Sequence, residues 1–175
     1  MQILSKRDFL KRYESVGLAL ADLTSPQQML VYPTSPDLRW SWDIPTSPKD
    51  LPRFVTSLFE ATEETQGFYL YPRMGTWGCG DTLKMFQMSA VFAYFGCSPQ
   101  PNAVIYLSID EVDAAETLFS ISLIFGGTVS DDLFVIPSHG KLMLYADHHE
   151  AVHATFSDNE FMKRYLSNVP EEWTS

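Results

Sequence analysis

Proline is concentrated in one stretch of this chain and limits what that stretch can form. Six of the eleven prolines lie within residues 26–52, where the triplet Thr-Ser-Pro also recurs. Each proline fixes its own φ and disfavours the helical conformation in the residue before it, so a long helix cannot cross this stretch. Trp40 and Trp42 alternate with polar residues, as in a strand. We therefore predict that residues 24–47 cross the domain in an extended, turn-rich conformation.

Outside this stretch, hydrophobic spacing and capping residues predict both helices and strands. The predicted helices cover residues 5–16, 48–65, 82–95, 110–125 and 157–168, with Ser5, Asp81, Asp110 and Ser157 as caps and Gly17, Gly96 and Gly126 as stops. The predicted strands cover residues 68–71, 103–109, 133–137, 141–146 and 151–156, of which the last three form a meander. This order predicts a single α+β domain over residues 1–175, with one mainly antiparallel sheet and about five helices packed on it.

The composition predicts a folded protein of a reducing compartment. The chain is 45% hydrophobic and 19% charged, and it contains only two cysteines. Residues 1–7 are not followed by the apolar region of a secretory signal, and no apolar run reaches the roughly 18 residues of a membrane helix. We therefore expect a cytoplasmic protein that does not enter a membrane and has no disulfide framework.

Negative charge is concentrated in the second part of the sequence. Residues 61–175 carry the whole formal charge of −10, and no lysine or arginine occurs between Lys84 and Lys141. The acids in that interval are Asp110, Glu111, Asp113, Glu116, Asp131 and Asp132. Such a balance argues against direct nucleic-acid binding. It suits either a solvated surface or an acidic face that attracts a basic partner, and in the second case these six residues steer the encounter.

Exposed aromatic residues are candidate anchors for the same partner. Trp40, Trp42, Trp77 and His148 lie near predicted turns and strand ends. Large aromatic side chains contribute much of the binding energy in protein interfaces. The alternative is that most of these rings belong to the hydrophobic core.

One string matches the zinc-protease motif H-E-x-x-H, from His149 to His153. That motif needs a helix, so that both histidines reach one metal from the same face. Residues 151–156 instead alternate as a strand does, and a strand holds two such histidines roughly 13 Å apart. A metal site of His148, His149 and His153, with help from Asp147 or His139, is therefore only an alternative, and we expect no cofactor.

A second alternative is a cysteine hydrolase. Cys79 precedes the predicted helix 82–95, and a thiolate is favoured at a helix N-terminus. His153 or His139 follows later in the chain as a possible base, and Asp147 or Asp158 could orient it. Alternatively, Cys79 is a small buried residue in a glycine-rich turn. We favour this second interpretation, and we therefore expect that the chain has no catalytic residues.

The C-terminal part resembles a known group of proteins. Residues 131–170, with the strands Asp132–Pro137 and Lys141–Tyr145, the turn at Asp147–Glu150 and a short final helix, are similar to the C-terminal meander of some immunity proteins of bacterial polymorphic-toxin and contact-dependent systems. The resemblance implies a cytoplasmic protein that neutralises a cognate toxin, often a basic nuclease, by stoichiometric binding. The oligomeric state stays open.

Overall fold

The computed structural model describes residues 1–14, 19–21, 29–31, 38–72, 103–129, 133–147 and 151–174. The strands are β1 (Gln2–Ser5), β2 (Ala19–Ala21), β3 (Met29–Val31), β4 (Arg39–Asp43), β5 (Gly67–Pro72), β6 (Ala103–Ser108), β7 (Leu133–Pro137), β8 (Leu142–Asp147) and β9 (Ala151–Phe156). The helices are α1 (Lys6–Tyr13), α2 (Leu51–Glu60), α3 (Val112–Val129), α4 (Asn159–Asn168) and α5 (Glu171–Thr174), and a 3-10 turn at Ile109–Glu111 leads into α3.

Seven of these strands form one sheet in the order β1-β6-β5-β7-β8-β9-β4, and every neighbouring pair in it is antiparallel. β2 and β3 form a separate antiparallel pair. The α+β prediction, with one antiparallel sheet and about five helices, is confirmed.

Helices pack on both faces of the sheet. On one face, α2, α3 and α4 bury a large core whose biggest members include Phe54, Leu58, Phe119, Phe156 and Tyr165. On the other face, α1 covers the first strands of the order with Phe9 and Tyr13, which contact Tyr69 on β5. The alternation of side chains along each strand divides the apolar residues between these two cores.

The predicted strands agree closely with the observed ones. β7 and β9 have the predicted bounds, β6 ends one residue earlier than predicted, and β5 and β8 differ by one residue at each end. The extended crossing contains β4, as the alternation around Trp40 and Trp42 predicted, and also β3. β1 and β2 were not predicted. The predicted helix 82–95 and its cap Asp81 lie outside the described residues.

Helix boundaries show where local signals were wrong. α1 begins after Ser5, whose Oγ accepts a hydrogen bond from the Asp8 N–H at 3.1 Å, but it ends at Tyr13, before the predicted Val16. α2 is shorter than the predicted 48–65 at both ends, because it ends at Glu60 and begins only after Asp50, with Pro52 in its first turn. A proline is accepted there because the first N–H groups of a helix have no intrahelical acceptor.

Two predicted caps also shift by one or two positions. Ser108, and not Asp110, caps the turn that leads into α3, because Glu111 accepts the Ser108 N–H at 3.0 Å in a capping box. Asp158, and not Ser157, caps α4 and accepts the Phe161 N–H at 2.7 Å. α3 was predicted to stop at Gly126, but it continues through Gly126 and Gly127 and ends at Val129. A glycine costs a helix only about 1 kcal/mol, which the rest of a long helix offsets.

Candidate functional site

Four carboxylate residues lie on α2, on α3 or in the turn that leads into α3, and we call them the acidic surface: Glu60, Asp110, Asp113 and Glu116. Glu60 is the last residue of α2, Asp110 lies in the 3-10 turn, and the other two lie in the first turns of α3. All but Glu116 are exposed. Within the described part of the chain, none of the four forms an ion pair with a lysine or arginine.

Glu116 is the half-buried member of this group. Its Oε2 accepts a hydrogen bond from the Thr56 hydroxyl of α2 at 2.6 Å. Burial raises the pKa of Glu116 above its ordinary value, the Thr56 bond opposes that change, and the charges of Asp113 and Glu60 raise the pKa further. The charges of Glu60, Asp113 and Glu116 therefore repel one another in the folded chain, and a cation placed among these three would be attracted by all of them.

Glu111 was predicted to face a partner, but its carboxylate is used within the fold. It accepts bonds from the Ser108 N–H and hydroxyl, each at 3.0 Å, and from the amino group of Met1 at 2.9 Å. These bonds lower the pKa of Glu111, the bond from the amino group most strongly. A carboxylate held in this way stabilises the start of α3, so we leave Glu111 out of the acidic surface.

Several predicted residues lie outside the described residues. These are Asp131, Asp132, Trp77, Cys79, His148 and His149. Their predicted roles in partner binding, in hydrolysis and in metal binding stay predictions.

The two described tryptophans of the predicted anchor set have different surroundings. Both lie on β4, with ring centroids 6.5 Å apart. Trp42 is 4% exposed and packs edge-on against Tyr165 of α4, so it belongs to the core. Trp40 is 37% exposed. Trp42 thus anchors β4 to the hydrophobic core, and Trp40 is the tryptophan of β4 whose ring a partner can contact.

His153 lies on β9, within the strand that the alternation predicted, so the helix required by the zinc-protease motif does not form over residues 151–156. Its ring stacks on Tyr145 of β8 at 4.6 Å, and Ser41 of β4 lies opposite it on the other side. Asp147 pairs with Ala151 in the sheet. Among the described residues, no three histidine, cysteine, aspartate or glutamate side chains come close enough together to hold a metal ion.

His139, the other candidate base, lies in the turn between β7 and β8. Its Nδ1 accepts the Lys141 N–H at 3.0 Å, and its backbone N–H donates to Glu64 Oε2 at 3.0 Å. Burial lowers the pKa of His139, while Glu64 and the Thr62 backbone act in the opposite direction. The hydrogen bonds of His139 hold the turn against the loop that follows α2, which is a structural role. Asp158, the alternative orienting residue, is occupied as the cap of α4.

Two sets of residues were not predicted as part of a site. Glu60 completes the acidic surface from α2, and no local pattern connects it with residues 110–116. Arg39, Ser41 and Asp43 are exposed on β4, beside the two tryptophans. The alternation that predicted the strand also marked these three as its polar side, which was the signal available for them.

Comparisons with protein-family models, with curated proteins and with solved structures found no match. None of the helices in the described part of the chain is long and apolar enough to span a membrane.

Proposed function

We propose that this chain is a cytoplasmic immunity protein that neutralises a cognate basic toxin by binding it in equal amount through the acidic surface. The observation that carries the proposal is the set of four carboxylates without an ion-pair partner among the described residues, of which Glu116 has its pKa raised by burial and by the charges of Asp113 and Glu60. The resemblance of residues 131–170 to immunity proteins and the small number of cysteines favour the same interpretation.

Mutual repulsion makes the acidic surface a favourable place for a cationic partner. A solvated acidic face normally keeps its carboxylates apart and fully hydrated, whereas Glu116 is half-buried beside Asp113 and Glu60. A lysine or arginine of a partner would remove this repulsion and gain attraction to several charges at once. Such charge complementarity favours the correct partner and speeds its association more than it adds affinity.

The position of the acidic surface also favours fast association. Three of its members lie on two helices that pack on each other through a buried core, and Asp110 lies in the turn that leads into one of them. The packing fixes the backbone positions of the charges, and the bond from Thr56 also holds the Glu116 carboxylate. A fixed patch of one sign steers an oppositely charged partner during diffusion and raises the association rate by roughly tenfold or more at low salt. This effect weakens as salt screens the charges.

The experiment uses the purified chain and the purified product of the neighbouring toxin gene. Titration of the toxin's activity should reach full inhibition at one equivalent. Stopped-flow association should slow as salt is added, and the double variant D113N/E116Q should associate roughly tenfold more slowly at low salt. The absence of a complex between the two purified proteins would refute the proposal.

Glu14 provides a matched control. It is exposed and follows α1, which covers the opposite face of the sheet. Glu14→Gln removes the same charge without touching the acidic surface, so its association rate should stay close to that of the unchanged chain. If E14Q slows association as much as E116Q alone, overall charge and not this surface controls the encounter.

A further inference from the structure

β4 is an end strand of the seven-stranded sheet. Its inner side pairs with β9 from Arg39↔Thr155 to Asp43↔Ala151, and no other strand of the described residues pairs with it. Arg39, Ser41 and Asp43 are exposed, and Trp40 is 37% exposed. An edge strand presents unpaired N–H and C=O groups, which form a template for another strand.

The sequence of β4 is self-complementary. It reads Arg39-Trp40-Ser41-Trp42-Asp43, with one positive and one negative charge at equal distances from Ser41. If two copies of this strand run antiparallel with Ser41 opposite itself, each Arg39 lies opposite Asp43 of the other copy. The same register places Trp40 opposite Trp42 of the other copy. Opposite charges and aromatic pairs are the cross-strand combinations that stabilise antiparallel sheets.

We propose that β4 binds β4 of a second copy of this chain, antiparallel and centred on Ser41, so that the two sheets continue into one. The pairing closes on itself by a two-fold axis, which is the commonest symmetry of soluble dimers. It is independent of the acidic surface, because none of the residues that it uses belongs to α2 or α3.

The charges of β4 select this arrangement over others. A parallel pairing in register would place Arg39 against Arg39 and Asp43 against Asp43, which is repulsive. A shift of one residue would turn the tryptophans of one copy towards the charged side of the other. Neither Arg39 nor Asp43 has an ion-pair partner among the described residues, so both side chains are available for the second copy. The other end strand, β1, carries no charged residue and has no such complement.

The first test reverses the charges one at a time and then mixes the products. R39D places two pairs of aspartates across the two-fold axis, and D43R places two pairs of arginines there. Each variant alone should therefore dimerise roughly tenfold more weakly than the unchanged chain. In an equimolar mixture of the two variants, each of the four positions at 39 and 43 faces a residue of opposite charge on the other copy, so a heterodimer should form.

Sedimentation velocity and native mass spectrometry measure these outcomes. The ionic strength is moderate because salt then screens the net repulsion between two acidic copies. The double variant R39D/D43R exchanges the two charges in every chain. Two copies of it again place opposite charges at positions 39 and 43, so it should dimerise like the unchanged protein. A monomer at millimolar concentration would overturn the proposal. A dimer that the single reversals leave unchanged would show that the copies meet elsewhere, and would also overturn it.

The second test measures the register. Directly opposite residues of antiparallel strands have Cα atoms about 4.5–5.5 Å apart, which is within the range of a disulfide. Ser41→Cys should therefore cross-link two copies under mild oxidation. Asp43→Cys is the control, because position 43 lies four residues from the same position of the other copy, or roughly 13 Å along the strand. The unchanged chain, with Cys79 and Cys97, gives the background. Equal cross-linking at positions 41 and 43, or none above background at 41, would contradict the register.

Discussion

The hydroxyl group of Tyr165 binds a backbone carbonyl near the C-terminal end of α2, and removing this hydroxyl tests how much that hydrogen bond stabilises the fold. In a continuing helix the Leu58 carbonyl would accept the Thr62 N–H, but that N–H donates to the Phe59 carbonyl at 3.1 Å instead. The Leu58 carbonyl accepts the Tyr165 hydroxyl at 2.9 Å in the buried core. Tyr165 is 1% exposed. Burial raises the pKa of Tyr165, so the hydroxyl keeps its proton and remains a donor.

Tyr165→Phe should remove this bond while keeping the ring against Trp42 and Phe156. The Leu58 carbonyl would then be buried without that donor, and an unsatisfied buried group costs about 1–3 kcal/mol. We therefore expect the free energy of unfolding to fall by about 2 kcal/mol. With a urea dependence of about 2 kcal/mol per molar, the unfolding midpoint falls by about 1 M.

Tyr106→Phe is the matched control. The Tyr106 hydroxyl also donates to a backbone carbonyl, that of Gln66, at 3.0 Å, but this bond is exposed. Water can replace the lost donor there, so the free energy of unfolding should change by less than about 0.5 kcal/mol. If urea unfolding followed by tryptophan fluorescence gives Y165F the same stability as Y106F, the reasoning about the end of α2 is refuted.

Three further substitutions test charge and backbone geometry. Glu116→Gln should raise the free energy of unfolding by about 0.5 kcal/mol at neutral pH, because the raised pKa means that the fold disfavours the charged form, and the gain in urea unfolding should shrink near pH 4 where the carboxyl is itself neutral. The pKa of His139 is lowered, so the fold resists its protonation and loses stability as pH falls through about 6.5. His139→Asn, which does not titrate, should lose less stability between neutral and mildly acidic pH in thermal melts. Gly67→Ala should lower the free energy of unfolding by roughly 2 kcal/mol, because φ is 153° and the added Cβ would collide with the Leu107 carbonyl; a Tm equal to that of the unchanged chain would contradict this.

The strands that could be predicted are those whose signal is local. β7, β8 and β9 follow one another through short connections in the sequence, so the short apolar runs of β7 and β8, the alternation in β9 and the hairpin at Ser138–Gly140 were enough to predict them. β1 has only four residues and pairs with β6, with Ile3 opposite Ile105. Its partner is about a hundred residues away, and nothing in residues 2–5 alone indicates that pairing.

The acidic surface also contains residues that the local sequence predicted and one residue that only tertiary packing brings in. Asp110, Asp113 and Glu116 stood out in the sequence because they lie close together in a stretch without basic residues. Glu60 joins them only because α2 packs on α3, which is a tertiary contact. Glu111 looked identical to its neighbours in the sequence, but its carboxylate is engaged within the fold by the capping box at Ser108 and by the Met1 amino group. The local sequence therefore predicted where acidic residues are concentrated, and the packing of the fold decided which carboxylates face outward.

The two proposals together predict a stoichiometry that separates them. A dimer through β4 carries two acidic surfaces, one on each copy, and uses none of their residues to assemble. Above the dissociation constant of the dimer, the complex should contain two copies of this chain and two of the toxin. R39D should form a complex of one copy each with an unchanged association rate, since Arg39 is not on α2 or α3. D113N/E116Q should instead keep the dimer and lose the fast association. Light scattering of the complexes measures their stoichiometry and stopped-flow mixing their association rates, and a rate that falls in R39D would show that β4 belongs to the toxin-binding surface.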